Sequence, residues 1–273
     1  MKNVLVTGCS SGIGRCIAEG LKQEGYRVFA TARKQQDIDE LNTAGFEAVM
    51  LDLTDINSID KAVETLFDKT ERQIYGLINN AAYGLTGAIE DISTEALREQ
   101  FETNIFGTQH LTNKLIPAMR KQNEGRIIQI SSVLGFVTMK YRGAYCASKY
   151  ALEALSDAMR YELADSGIKV SLIQPGPIKS EFRTTAVLKF NSLIDKENSH
   201  HQKGYNRLLE QMNTATYKTP FTLGPEAVYK KVLHALDNDK PKARYYVTFP
   251  TYLFAWFKRL LPGSLFDKIL VRI

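Results

Sequence analysis

Cysteine is scarce in this chain: three in 273 residues, Cys9, Cys16 and Cys146, with no Cys-x-x-Cys. So odd and scattered a set offers neither a disulfide framework nor a thiolate zinc site, and it fits a reducing cytoplasm. Only two histidines, His200 and His201, are neighbours. Without a spaced carboxylate or thiolate they make a solvated pair, and no metal is expected. The formal net charge is +5, yet no block of Lys or Arg occurs. Dispersed basic charge suits an anionic cofactor or a lipid surface and gives no nucleic-acid footprint. A long uninterrupted apolar run is also missing. The opening Met1-Lys-Asn-Val-Leu-Val-Thr-Gly8 enters a strand and a turn, not the apolar region and cleavage site of a signal peptide. The most apolar stretch, 251–273, is broken by Lys258, Arg259 and Pro262-Gly263, too soon for a transmembrane helix. Repeats, low-complexity linkers and a clean domain boundary are likewise lacking.

What the chain does have is an alternation. Short Val- and Ile-rich runs stand at 3–7, 26–31, 46–51, 74–79, 125–131 and 168–174, with a seventh at 244–248. Between them lie helical patterns at 12–24, 35–43, 55–71, 93–122, 143–165 and 225–237. Strands apolar on both faces, alternating with helices, predict a single α/β domain: a seven-stranded, mostly parallel, doubly wound sheet between helix layers. Ligands then bind outside the carboxyl ends of the strands. The polar stretch 180–224, after the sixth strand, is long for a connector and is expected to be a lid or substrate-binding insertion.

The first strand ends in Thr7-Gly8-Cys9-Ser10-Ser11-Gly12-Ile13-Gly14 and a helix follows. Glycines let a backbone turn sharply and approach a pyrophosphate, which then rests on the N–H groups of the helix start. The second strand discriminates between dinucleotides. An NAD site carries an acidic residue there for the ribose hydroxyls. Here Phe29-Ala-Thr-Ala-Arg33-Lys34 offers no carboxylate and two cations. Arg33 can grip a 2′-phosphate with its planar fork, so NADP(H) is the cofactor expected.

Tyr145 and Lys149 are four residues apart on a predicted helix, hence on one face, and Ser132 lies thirteen positions before the tyrosine. A phenol titrates near ~10, and a nearby fixed positive charge lowers that value. The pair has the form of a general acid/base with its own tuning group.

These elements resemble the short-chain dehydrogenase/reductases. The Gly turn is joined by Asp52, by Asn79-Asn80-Ala81-Ala82, by Asn104, and by Pro175-Gly176-Pro177-Ile178. Ala82 departs from the family, which usually has glycine there. The resemblance implies a Rossmann-type fold and a division of roles. Tyr145 would exchange the proton at the substrate oxygen. Lys149 would lower the tyrosine pKa and bind the nicotinamide ribose, Ser132 would polarise the carbonyl, and Asn104 would anchor a water in the relay. Gly8, Ser10, Ser11, Gly12, Ile13, Gly14, Arg33, Asp52, Asn80, Ala81, Ala82, Pro175, Gly176 and Ile178 would hold the cofactor. Asp52 would meet the adenine amino group, and Ile178 the carboxamide. Arg126-Ile-Ile, Phe221-Thr-Leu-Gly-Pro-Glu-Ala and Lys258-Arg-Leu-Leu-Pro-Gly look closest to bacterial NADP-dependent aldehyde reductases, beside 17β-hydroxysteroid and retinol dehydrogenases.

The substrate so implied is a small lipophilic carbonyl or its alcohol; a catalytically silent NADP sensor is the alternative of another class. Ala144, Ala147, Ala151, Ala154 and Ala158 form a small-residue stripe whose plain reading is packing on the sheet. The family resemblance adds a homo-oligomer, dimer or tetramer, through such a helix. The tail 251–273 is read as pocket wall or core cover, with a membrane-surface helix as the alternative.

Overall fold

The computed structural model describes residues 1–213 and 220–272. All seven strands predicted form one sheet in the order β3-β2-β1-β4-β5-β6-β7. They are β1 (Asn3–Val6), β2 (Arg27–Ala32), β3 (Glu47–Met50), β4 (Gly76–Asn79), β5 (Gly125–Ile130), β6 (Ile168–Gln174) and β7 (Arg244–Tyr246). Every pairing is parallel. Helices α1 (Gly12–Gln23), α2 (Gln35–Thr43) and α9 (Glu226–Asp237) bury Ile17, Leu21, Leu41 and Val232 against one face. On the other, α3 (Ile56–Thr70), α5 (Thr108–Gln122) and α6 (Gly143–Glu162) contribute Ile59, Leu66, Leu115 and Met159. Strands covered on both faces read as continuous apolar runs because neither side meets water. The strand order reverses between β1 and β4, and a crevice opens there beyond the strand ends.

Three stretches depart from the sequence reading. The pattern at 93–122 is not one helix: α4 (Thr94–Phe101) passes through a π-helical turn at Glu102–Gly107 into α5. Residues 180–224 hold two helices absent from the helical patterns read in the sequence, α7 (Phe182–Leu193) and α8 (Gln202–Asn213). Part of that expected insertion, 214–219, lies outside the described residues. The tail folds as α10 (Phe249–Leu260) and α11 (Gly263–Leu270), and Phe254 and Phe266 pack on Val133 and Val137. Among the described residues, no helix is long and apolar enough to cross a membrane. The alanine stripe divides: Ala144 is buried, while Ala147, Ala154 and Ala158 face outward on α6 instead of onto the sheet.

Candidate active site

The crevice is a single cavity of about 840 Å³. At one end lies the turn between β1 and α1. Gly8 takes a left-handed φ of 72°. A Cβ on Gly14 would stand 2.0 Å from the Gly8 carbonyl oxygen, so only glycine closes the loop. The loop is pinned from β4. The Thr7 hydroxyl accepts from the Asn80 and Ala81 N–H groups at 2.9 Å each, and Asn80 Nδ2 donates to the Thr7 and Gly8 carbonyls at 2.9 and 3.1 Å. Ser11 caps α1 without a side-chain hydrogen bond, and no acid lies in the first turn. The helix start therefore presents free N–H donors to an anion.

Arg33 follows β2 at the cavity rim, exposed and with no ion pair among the described residues. Asp52 follows β3. Its Oδ1 accepts from the Thr54 N–H and hydroxyl at 2.9 and 2.8 Å, leaving the second oxygen for an amino donor. Ala82 takes no positive φ, so its methyl introduces no backbone strain where the family has glycine. Pro175, Gly176 and Ile178 close the far wall, anchored by Val133 N–H to the Pro175 carbonyl at 2.7 Å and by Lys179 N–H to the Leu223 carbonyl at 2.9 Å.

Ser132, Tyr145 and Lys149 line the same cavity beyond this cradle. Ser132 leaves β5, and its Oγ accepts from the Leu134 N–H at 3.1 Å. Tyr145 and Lys149 project from the first turns of α6, and the ammonium lies 5.8 Å from the phenol ring centre. Lys149 is buried and donates to the Ile130 carbonyl at 2.8 Å. Burial draws its pKa down from 10.5 to about 8, with the Glu153 carboxylate resisting. Burial also pushes the Tyr145 phenol above its ordinary 10, while Ser132 and the Arg142 charge pull the other way.

Asn104 alone among the predicted site residues stays behind the cavity wall. It sits in the π-helical turn, accepts from Tyr83 N–H at 3.1 Å, and donates to the Tyr83 carbonyl and Ser148 Oγ at 3.0 Å each. Its side chain braces α6 against the loop after β4, one residue from Lys149. A π-turn breaks the helical ladder, the kind of place where a main-chain carbonyl can serve a water instead.

Two residues went unnoticed in the sequence. Glu153, four positions after Lys149, accepts from Gln174 Nε2 at 2.9 Å and Arg244 Nε at 3.4 Å, so a buried carboxylate backs the lysine. Arg142, three before Tyr145, lines the cavity. Both were legible as helical spacings around the pair. His201 is engaged with Glu90 at 2.5 Å and Tyr141 at 3.4 Å.

The short chain dehydrogenase family model matches residues 2–189. The chain belongs to the short-chain dehydrogenase family. An oxidoreductase of Escherichia coli K12, YbbO, itself termed uncharacterized, is 45% identical over 98% of this chain and 94% of its own length. An NADPH-dependent 3-dehydrocapnine reductase of Ornithobacterium rhinotracheale is 36% identical over 98% and 96%. Among solved structures, a short-chain dehydrogenase from Streptomyces avermitilis superposes with a TM-score of 0.78 at 30% identity, covering 98% of this chain and 96% of that one. The protein is therefore an oxidoreductase of a family whose members bind a nicotinamide dinucleotide. The cradle fits such a group, with glycines where a Cβ would keep the turn from closing and N–H donors at the helix start where the pyrophosphate belongs.

Proposed function

We propose that this short-chain dehydrogenase is an NADP(H)-dependent reductase interconverting a lipophilic aldehyde or ketone and its alcohol. One observation carries the reading. The dinucleotide cradle and the Ser132–Tyr145–Lys149 group share a single cavity whose remaining wall carries an apolar stretch, Leu134, Met139, Phe182, Leu253 and Phe254, beside a few charged residues. NADP(H) supplies or accepts the hydride when bound. Ser132 and Tyr145 donate hydrogen bonds to the substrate oxygen, stabilising negative charge as it develops there. The Tyr145 phenol then gives that oxygen its proton, and in the reverse direction takes it back. Lys149, whose proton is loosely held at neutral pH, is the next donor inward, with Glu153 behind it. A water at the main chain of Asn104 would complete the relay.

NADP(H) over NAD(H) rests on the unpaired Arg33 and on the absence of a carboxylate after β2. It agrees with the NADPH in the name of the Ornithobacterium relative. The aldehyde-reductase branch is favoured by sequence likeness alone, and a steroid- or retinol-type alcohol uses the same chemistry. Intact Ser132, Tyr145 and Lys149 speak against a silent sensor, which needs only the cradle. Residues 180–224 act as the substrate lid, since α7 and α8 contribute Phe182, Leu208 and Met212 to the cavity. The outward alanines on α6, beside exposed Tyr150 and Tyr161, suit a subunit contact. A cytoplasmic site of action is in keeping with the free cysteines.

The test is NADPH absorbance followed against aliphatic and aromatic aldehydes, retinal and keto-steroids. Turnover of apolar carbonyls supports the reading. Tight NADPH binding with no turnover of any of them would favour the sensor.

A further inference from the structure

In the substrate half of the cavity Arg142 has no counter-ion among the described residues. Arg142 caps the N-terminus of α6, one turn before Tyr145. The chain reaches it through a left-handed residue, Tyr141 at φ 61°, a conformation rare for a bulky side chain. It is tied there by Gly87 N–H donating to the Tyr141 carbonyl at 2.9 Å. The entry to α6 is thus fixed from the loop after β4, and Arg142 is directed at the cavity.

Its guanidinium donates to the Thr86 hydroxyl and, at 3.6 Å, to the Met212 thioether. A hydroxyl is neutral and a thioether a weak acceptor, and together they occupy two of five N–H donors. The charges that act on Arg142 are Tyr145, Cys146 and a second cation, Arg183, with no carboxylate among them. The residues outside the description, 214–219 and 273, include no acidic side chain. Burial works against the Arg142 charge, holding its pKa below the usual arginine range. The surface Arg142 retains lines the cavity. Neighbouring charges are committed elsewhere: Lys189 pairs with Glu99, Lys149 is held by Ile130, and Glu181 accepts from Thr184 at the exposed start of α7. A cation kept out of water without an anion is held at a penalty unless a ligand brings the anion.

We propose that Arg142 anchors a carboxylate carried by the substrate, making that substrate an oxo acid or hydroxy acid with an apolar chain. Arg142 and Tyr145 are one helical turn apart, on the order of 5 Å, so the carboxylate lies a few bonds from the reacting carbon. The planar guanidinium fork matches a carboxylate in two parallel hydrogen bonds. The chain then runs over Leu253 and Phe254. This rests on the reading of Tyr145 as the group that meets the substrate oxygen.

The test is calorimetric titration of the NADPH-loaded protein with racemic 3-hydroxydecanoate and with its methyl ester. NADPH and an alcohol cannot react, so binding is read alone. The acid should bind about 10- to 100-fold more tightly than the ester, the range of a hydrogen-bonded charge pair. In Arg142→Gln the preference should fall to within about threefold, and Arg142→Lys should keep part of it. Binding of neither ligand, equal binding of both, or a preference that survives in Arg142→Gln overturns the proposal. If Arg142→Gln does not fold, the wild-type comparison and Arg142→Lys decide. Oxidation of the same acid with NADP is assayed separately. A charge-dependent complex without turnover would retire the reductase reading and leave the Arg142 anchor standing.

Discussion

Replacing Lys149 by methionine should abolish turnover and yet steady the fold. The lysine is 3% exposed, and burial lowers its pKa from 10.5 to about 8. A fall of that size corresponds to about 3 kcal/mol held against the folded state when the amine is charged. The sign follows from proton binding. Below pH 8 the folded and unfolded chains both keep the proton, and the folded chain bears the whole penalty. Between about 8 and 10.5 the folded chain releases it first, so wild-type stability rises with pH through that window. Near pH 9.5 the penalty has shrunk to about 1 kcal/mol. Methionine removes it but orphans the Ile130 carbonyl now bonded at 2.8 Å, a loss of about 1–2 kcal/mol. The variant should therefore be more stable than wild type by about 1–2 kcal/mol at pH 7 and no more stable than it near pH 9.5. Urea denaturation of both proteins at the two pH values measures this, and titrating groups that do not interact with Lys149 cancel in the difference. Parallel pH dependence in wild type and variant would refute the buried, proton-poised lysine.

Two further outcomes concern the cofactor and the assembly. Arg33→Ala should weaken NADPH binding by about 10- to 100-fold, as loss of a charged hydrogen-bond partner does, and leave NADH nearly untouched. An unchanged preference, measured by cofactor fluorescence titration, would remove Arg33 from the site. Ala154→Arg on the outward face of α6 should shift sedimentation from an oligomer toward the single chain; a wild type that sediments only as one chain of 30.7 kDa would dismiss the α6 interface.

The elements and the cradle were legible because their causes are local. β5 is buried along its whole length and, Arg126 and Gln129 apart, is written in Gly and Ile, so period and length suffice to place it. Gly14 is dictated by a carbonyl only six residues back. The parts that escaped are set by distant partners. The break at Glu102–Gly107 falls inside an unbroken helical periodicity and is stabilised by Asn104 reaching Tyr83 and Ser148. Helix α7 buries Ala186 and Phe190 on a stripe begun by Phe182, yet its polar neighbours masked that stripe in the sequence. The Tyr145–Lys149 spacing was plain, but where the ammonium spends its hydrogen bond was not. That depends on Ile130, nineteen residues away on another element. Arg142 illustrates the same limit, for its isolation is visible only when Thr86 and Met212 are brought beside it.

The account stands on Tyr145 as the proton donor at the substrate oxygen. Tyr145→Phe keeps the ring that packs on Phe182 at 5.3 Å between centroids and removes only the hydroxyl. Measured side by side, NADPH affinity should remain within about threefold of wild type while kcat with a carbonyl substrate falls by at least about 10²-fold, the scale of general acid catalysis. Near-wild-type kcat in Tyr145→Phe would contradict the central claim.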